Sequence, residues 1–379
     1  MSSRSNILLW LPALALLAFG SDSIPPLPKD AFKVTLPPGS PVELLNPNWD
    51  LSSVAMRGGA MQVDLRSTLQ LRNTSMRRIR GISFLVLAQE VTPGGKASVT
   101  VPSLDVEPGD TFPVKIDLRL MRPISAAQGP LVEVTLDGVL FEDLTFFGPN
   151  KLNSRRAMTG WELEARRDRK YLFALLETGG PKTLQDEMVA TLSRVTAQPR
   201  LEIQSARTGP STNSVGGEQQ IEFAFLALPD APVELTGGFV RVAGNQARLP
   251  RIYVANRSRR SVRSLEIGWL LKDNAGHEYH AGDLPAVLTL APGGRGECDP
   301  DAVLKFSRPG GQPVPIAGLT AYVANVEFAD GDQWIPTHAA LAQQRLASAL
   351  PVSPELQRLA ELYRKRGVDA VAQQLKRLK

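Results

Sequence analysis

His277, Glu278 and His280 spell H-E-x-H, the nearest approach in this chain to a hydrolytic metal motif. A zinc protease needs two histidines four apart on a helix, so that both imidazoles meet one ion. Here the spacing is three and the segment follows the hairpin signal "LKDNAG". On a strand, those two rings would point to opposite faces. A surface hairpin is the plainer expectation, and His338 is far off in sequence. Asp330 and Asp332 in "ADGDQW" offer oxygen ligands for calcium, but no EF-hand loop surrounds them, and Asp and Gly equally suit a turn. The chain has no G-x-S-x-G, no phosphate-binding glycine loop and no dinucleotide fingerprint. The expectation is no catalytic residue, no cofactor and no metal.

Arginines cluster at two related corners. Arg77, Arg78 and Arg80 follow "LRNTS"; Arg259, Arg260 and Arg263 follow or overlap "VANRS". They could face an anionic polymer or lipid head group. No aromatic residues interleave as stacking platforms, so nucleic acid is not expected. A solvated strand edge is the plainer reading. Arg364, Lys365 and Arg366 add a third basic group in a C-terminal amphipathic stretch, which could contact a partner or pack on its own domain. Asn73 to Ser75 and Asn256 to Ser258 are N-x-S sequons, but their recurrence at one corner favours a turn role for the asparagines. Trp49, Trp161 and Trp334 could bind carbohydrate if their rings share a groove.

The elements that must position these residues repeat. "LQLRNTSMRRIRGISFLVLAQE" returns as "IYVANRSRRSVRSLEIGWLLKD" at an offset of 183. Ile82, Phe84, Val86 and Ala88 match Leu265, Ile267, Trp269 and Leu271 with strand parity kept. Val139, Phe141, Phe147 and Pro149 match Val326, Phe328, Trp334 and Pro336 at an offset of 187, the drift falling in loops. "PVEL" opens both stretches, at Pro41 and Pro232. Short strands with frequent turn signals suggest sandwiches, with a turn expected at Asp137 and Gly138. Each β stretch is followed by helical periodicity. Glu162 to Glu177 is stopped by Gly179 and Gly180, and Leu184 to Val195 continues it; Ser353 and Pro354 open a second pair that breaks at Gly367.

At 379 residues with 43% hydrophobic content, the chain holds two to three domains and is not disordered by default. Its net charge of +5 permits anionic partners without demanding them. Cys298 is the single cysteine, so no internal disulfide forms and a buried apolar role is expected. Ile7 to Phe19 is a short apolar run with Ala18 and Gly20 before Ser21, the pattern of a signal peptide over 1–20. An exported protein, periplasmic or extracellular, is expected, with no transmembrane segment after cleavage.

The corners "LRNTS" and "VANRS", the strand pairs around them, the closing "VEFADGDQW" and the "LKDNAG" hairpin resemble immunoglobulin-like modules of bacterial exported proteins. The resemblance implies binding, spacing or assembly more often than catalysis. The expected fold is mainly β with α: two immunoglobulin-like antiparallel β-sandwich units, each followed by an α-helical hairpin. The expected bounds are a leader at 21–30, sandwiches at 31–150 and 198–338, and helical hairpins at 151–197 and 339–379. The expected function is non-catalytic binding or scaffolding of an envelope protein or anionic polymer. A carbohydrate-binding protein and an unrecognised hydrolase using His277, His280 or His338 are the alternatives.

Overall fold

Period-two alternation dictates the first half of the molecule. In the computed structural model, residues 31–49, 51–57, 59–89, 94–123, 129–198, 201–206, 217–298 and 303–378 are described. The expected signal peptide and leader lie outside the described residues, as does most of the polar loop between 205 and 218. The strands are Phe32–Thr35 (β1), Val42–Asn48 (β2), Ser53–Arg57 (β3), Ala60–Asn73 (β4), Ile79–Leu87 (β5), Lys96–Val101 (β6), Thr111–Pro123 (β7), Val132–Phe141 (β8) and Phe146–Phe147 (β9). One sheet runs β1-β8-β5-β6 with β9 on β8; a second runs β2-β4-β3 with β7 on β4. Val63, Leu65, Leu69 and Leu71 of β4 face Ile82, Phe84 and Val86 of β5 across one core. Each fully buried Leu, Ile or Phe contributes about 1.5–3 kcal/mol.

The helix Ser154–Ala197 (α1) follows, broken at Gly180 (φ 71°, ψ −173°) just before Pro181. Tyr171 Oη donates to Glu187 at 3.5 Å, sixteen residues on. Along a straight helix those residues would stand about 24 Å apart, so the two limbs fold back on each other. The helix begins at Ser154, inside the expected bounds 151–197 and ahead of the periodic run from Glu162, and Gly180, one of the two expected stop glycines, takes the positive-φ conformation.

The second half has Glu202–Ala206 (β10), Gln219–Glu222 (β11), Ala224–Phe225 (β12), Val233–Ala243 (β13), Gln246–Asn256 (β14), Val262–Lys272 (β15), Glu278–Leu290 (β16), Arg295–Cys298 (β17), Val303–Ser307 (β18), Gly318–Phe328 (β19) and Gln333–Trp334 (β20). Its sheets run β12-β19-β15-β16 with β20 on β19, and β10-β18-β14-β13-β11 with β17 on β14. A second core joins them, with Leu265, Ile267, Trp269 and Leu271 inside and Cys298 buried among them. Short helices His338–Leu341 (α2) and Gln344–Ala349 (α3) lead to Pro354–Arg377 (α4), which Ser353 caps and Gly367 (φ 78°) breaks. The protein is thus mainly β with helices; among the described residues the strands form four separate sheets, none closed. Among the described residues, no helix is long and apolar enough to cross a membrane.

Two local expectations need correction. The sheets are not wholly antiparallel: β1 pairs β8, and β12 pairs β19, in parallel. Far-separated strands are free of the hairpin connection that enforces antiparallel pairing. Asp137 and Gly138 make no turn; β8 runs through them with a register shift, because Phe84 pairs Leu136 while Ser83 pairs Gly138. The two helical pairs pack on each other. Leu172, Leu184 and Met188 of α1 pack with Leu356, Leu359, Val371 and Leu375 of α4 in one cluster.

The asparagine corners are turns. Asn73 Nδ2 donates to the carbonyls of Arg77 (2.8 Å), Val106 (3.2 Å) and Glu107 (3.1 Å), while its Oδ1 accepts from Ser75 N–H and Oγ–H. Asn256 repeats this with Arg260 (2.8 Å), Leu290 (3.3 Å), Ala291 (3.0 Å) and Ser258. Both side chains are buried. Removing either amide strands several carbonyls, so Asn73→Ala and Asn256→Ala are each expected to lose about 2 kcal/mol in urea unfolding. A loss within error of zero would remove the corner from the folding determinants.

Candidate functional site

The first limb of α1 carries two faces. Ser154, Met158, Glu162, Ala165, Arg169 and Leu172 recur at helical spacing and are all buried. This face meets β5 and β8: Ser154 Oγ donates to Asp137 at 2.6 Å, and Met158 lies against Gly81, where a Cβ would come within 2.9 Å of its sulfur. The polar members of the face form a chain of charges. Arg80 reaches Asp105 at 3.1 Å and Glu162 at 3.8 Å; Arg169 bridges Glu162 (2.6 Å) and Glu355 (3.2 Å); Glu355 also holds Arg358 at 2.7 Å. Arg377 near the end of α4 pairs with Asp105. The chain ties the first sheet to both long helices.

The other face presents Arg156, Ala157, Gly160, Trp161, Glu164 and Arg167 to a cleft of about 570 Å³. That volume falls in the range of small-molecule sites. The opposite wall is the sheet β12-β19-β15-β16, contributing Glu266, His280, Asp283, Tyr322 and Asn325; residues 350–357 close one end. Glu266 and Asn325 are cross-strand partners. A second cavity of about 440 Å³ shares His280, Pro351, Val352 and Gln357 with the first, so the two adjoin. Gly160 permits the close approach of helix and sheet: a Cβ there would meet Asn325 Nδ2 at 3.1 Å and Gln333 Oε1 at 3.3 Å.

Burial raises the Glu164 carboxyl to about 7; Asp168, Asp283 and Glu266 push the same way and Arg167 opposes. No described residue donates a hydrogen bond to it. Burial also raises Glu266, with Arg156 opposing, and lifts the Tyr322 phenol well above its ordinary value, Asp283 and Glu164 adding to the effect. Asp283 accepts from Tyr322 Oη at 3.5 Å and lies 3.3 Å from His280 Nε2. Asn325 is 5% exposed and Arg156 9%. Asn325 donates to Gln333 at 2.9 Å, yet among the described residues its Oδ1 has no hydrogen-bond partner. Arg156 Nε and Nη2 make none either, although Glu327 and Glu266 stand 3.5 and 3.6 Å away. The arrangement can hold a cation between carboxylates, or exchange a proton near neutrality at Glu164.

The sequence-derived residues scatter. His280 alone of the three histidines lines the cleft. His277 is exposed beside Asp273, and His338 stacks on Tyr171 with ring centroids 3.6 Å apart. Asp330 and Asp332 both engage Arg260, which also lies over the Phe328 ring. Arg77 repeats that stacking over Phe141 and pairs with Asp143. As a partner surface, the first arginine corner needs correction: Arg80 is 4% exposed and Arg78 is mostly covered by Asp105, Glu107 and Glu142. Arg259 and Arg263 are exposed, as are Arg364, Lys365 and Arg366. The three tryptophans share no groove: Trp49 stacks on Phe32, Trp334 packs against the second core, and Trp161 lines the cleft.

Sequence reading missed Arg156, Glu164, Glu266, Asp283, Tyr322 and Asn325. One signal was present. Gly160 interrupts an otherwise helical run, and an isolated helix glycine marks close packing or function. A second lay in the repeat: Asn325 and Gln333 stand where the first half has Gly138 and Phe146, at the 187 offset. There the Phe146 ring fills the space over Gly138.

No family model and no curated protein matches the chain. Solved structures with slight likeness include a β-glucosidase from Kluyveromyces marxianus in complex with glucose, 8% identical, TM-score 0.17, covering 76% of this chain and 46% of that one. Red sea bream transglutaminase is 10% identical, TM-score 0.11, covering 72% and 30%. Hazelnut (Corylus avellana) vicilin is 12% identical, TM-score 0.09, covering 87% and 96%. The chain spans less than half of the β-glucosidase it matches. Likeness at these scores carries no argument about fold or activity.

Proposed function

We propose that this is a non-catalytic exported binding protein of the cell envelope or its surroundings, built from two copies of one block, with its ligand in the cleft beside α1. The block is a pair of immunoglobulin-like sheets followed by a helical hairpin. Matched hydrogen bonds support the duplication. Asn73 N–H donates to Asp110 and Thr74 N–H to Pro41, while Asn256 N–H donates to Gly294 and Arg257 N–H to Pro232. Val42 pairs with Asn73 as Val233 pairs with Asn256. Export rests on the apolar run Ile7 to Phe19. Arg259, Arg263, Arg364, Lys365 and Arg366 remain turned to solvent, where an envelope protein or anionic polymer would meet them.

One observation carries the binding reading: a cleft of ligand size lined by Asn325, whose buried Oδ1 has no hydrogen-bond partner among the described residues. Buried polar groups are nearly always paired, and each exception calls for a cause. The test is thermal unfolding against a panel of sugars, amino acids and amines, comparing wild type with Ala157→Trp, which plugs the cleft. A ligand at a hundred times its Kd stabilises by about 2.7 kcal/mol. Stabilisation of wild type and not of the plugged form is expected; equal stabilisation of both moves the site elsewhere. The hydrolase alternative is favoured by one feature, His280 beside Asp283 in the same cleft. Turnover of chromogenic esters or glycosides by wild type, lost in Asp283→Asn, would replace the non-catalytic reading.

A further inference from the structure

We infer that the cleft takes a small molecule bearing a protonated primary amine, held between the Glu164 and Asp283 carboxylates above the Asn325 amide. The inference rests on the binding reading above and names the ligand class. The cleft's cations are already committed. Arg156 sits between Glu266 and Glu327, and Arg167 pairs with Asp168 at 3.0 Å and donates to the Pro336 carbonyl at 3.1 Å. The acceptors are not. Glu164 has no hydrogen-bond donor among the described residues, and Asp283 meets the Tyr322 hydroxyl and the His280 ring through Oδ1 alone, so its Oδ2 has no donor among the described residues. Asn325 Oδ1, in a side chain 95% buried by virtue of its 5% exposure, is unpaired.

An ammonium has three donors and no acceptor, so it complements such a set. A neutral polyol would leave the carboxylates desolvated and uncompensated. A bare metal ion is disfavoured, because no group of three His, Cys, Asp or Glu among the described residues is placed to hold one. Trp161 and Tyr322 in the same walls offer ring faces and apolar area to the carbon skeleton of an amine. The charged and titratable groups around Glu164 are Arg156, Arg167 and Asp168 on α1, Glu266 on β15, His280 and Asp283 on β16, and Tyr322 on β19.

The experiment is titration calorimetry on the full chain with two matched pairs of probes: cadaverine with pentanediol, and glucosamine with glucose. At least one amine is expected to bind about tenfold or more tightly than its hydroxyl partner, and to weaken about tenfold in Glu164→Gln. Cadaverine, whose ammonium groups stay protonated, is expected to bind more strongly as pH rises through about 7, where Glu164 gives up its proton. Circular dichroism confirms that the variant is folded, and Asp283→Asn serves as a second, independent variant. Equal binding of amine and hydroxyl probes, blocked by Ala157→Trp, would overturn the amine while leaving the cleft a binding site. Amine binding untouched by both Glu164→Gln and Asp283→Asn would overturn it too. Failure of both amines to bind overturns the inference outright, since the cleft admits molecules of their size.

Discussion

Glu355→Ala will lower unfolding stability by about 3–5 kcal/mol, the loss expected when one partner of a buried ion pair is removed. Glu355 is 1% exposed, accepts from Arg169 at 3.2 Å and Arg358 at 2.7 Å, and stands in the first turn of α4. Its removal leaves Arg169 with excess positive charge in a place water does not reach. It also removes a negative charge from a helix N-terminus, where such a charge is favourable. Glu355→Gln keeps an acceptor oxygen and is expected to lose less. The control is Glu361→Ala, which breaks the exposed Arg364–Glu361 pair at 2.7 Å and should change stability by about 0.5 kcal/mol or less. Urea unfolding monitored by circular dichroism measures all three. Equal, small losses for Glu355→Ala and Glu361→Ala would show that the internal charges contribute no more than surface ones.

Glu164→Gln will stabilise the protein at pH 8 by about 2–3 kcal/mol and leave it unchanged at pH 4. The sign follows from the direction of the shift. Burial raises the Glu164 carboxyl from 4.5 to about 7, so the folded chain binds this proton more tightly than the unfolded chain does. Ionisation therefore costs stability. The cost is absent below about 4.5, grows between 4.5 and 7, and is complete above 7. Glutamine keeps the shape and carries no charge. Thermal unfolding of both proteins across this range measures the difference. A difference that does not depend on pH would mean that Glu164 is well solvated, and that its surroundings put no strain on it. Residues that cost stability in the unliganded protein are the ones expected where binding or chemistry takes place.

The asparagine corners were legible because they are local. Asn73 and Asn256 each bond to residues two and four along, so the sequence segment contains much of the geometry. Strand parity was legible for the same reason: Phe84 and Ile267 follow a period of two that any half-buried strand must show. Arg80 was misread because a register shift between Ile79 and Gly81 breaks that period, and a helix more than seventy residues away covers the result. Asp137 read as a turn residue, since Asp-Gly suits turns; its carboxylate instead receives Ser154 and the Lys151 N–H at the head of α1. The cleft was illegible for a further reason. Its walls come from α1, β15, β16, β19 and the approach to α4, and no pattern within one element reports what lies opposite it. Gly160 announced a close neighbour without naming it, and the exchange of Gly138 and Phe146 for Asn325 and Gln333 marked the sheet wall without saying what it faced.

The shared packing of α1 and α4 has a consequence for biosynthesis. A polypeptide made amino end first presents Leu172, Leu184 and Met188 with no cover until Leu356, Leu359 and Val371 have been added. Until then a greasy helical ridge faces water, open to association with its neighbours or to capture by chaperones. Chains that terminate before Pro354 keep that ridge bare, and are expected to aggregate or bind chaperones more than the longer chain does.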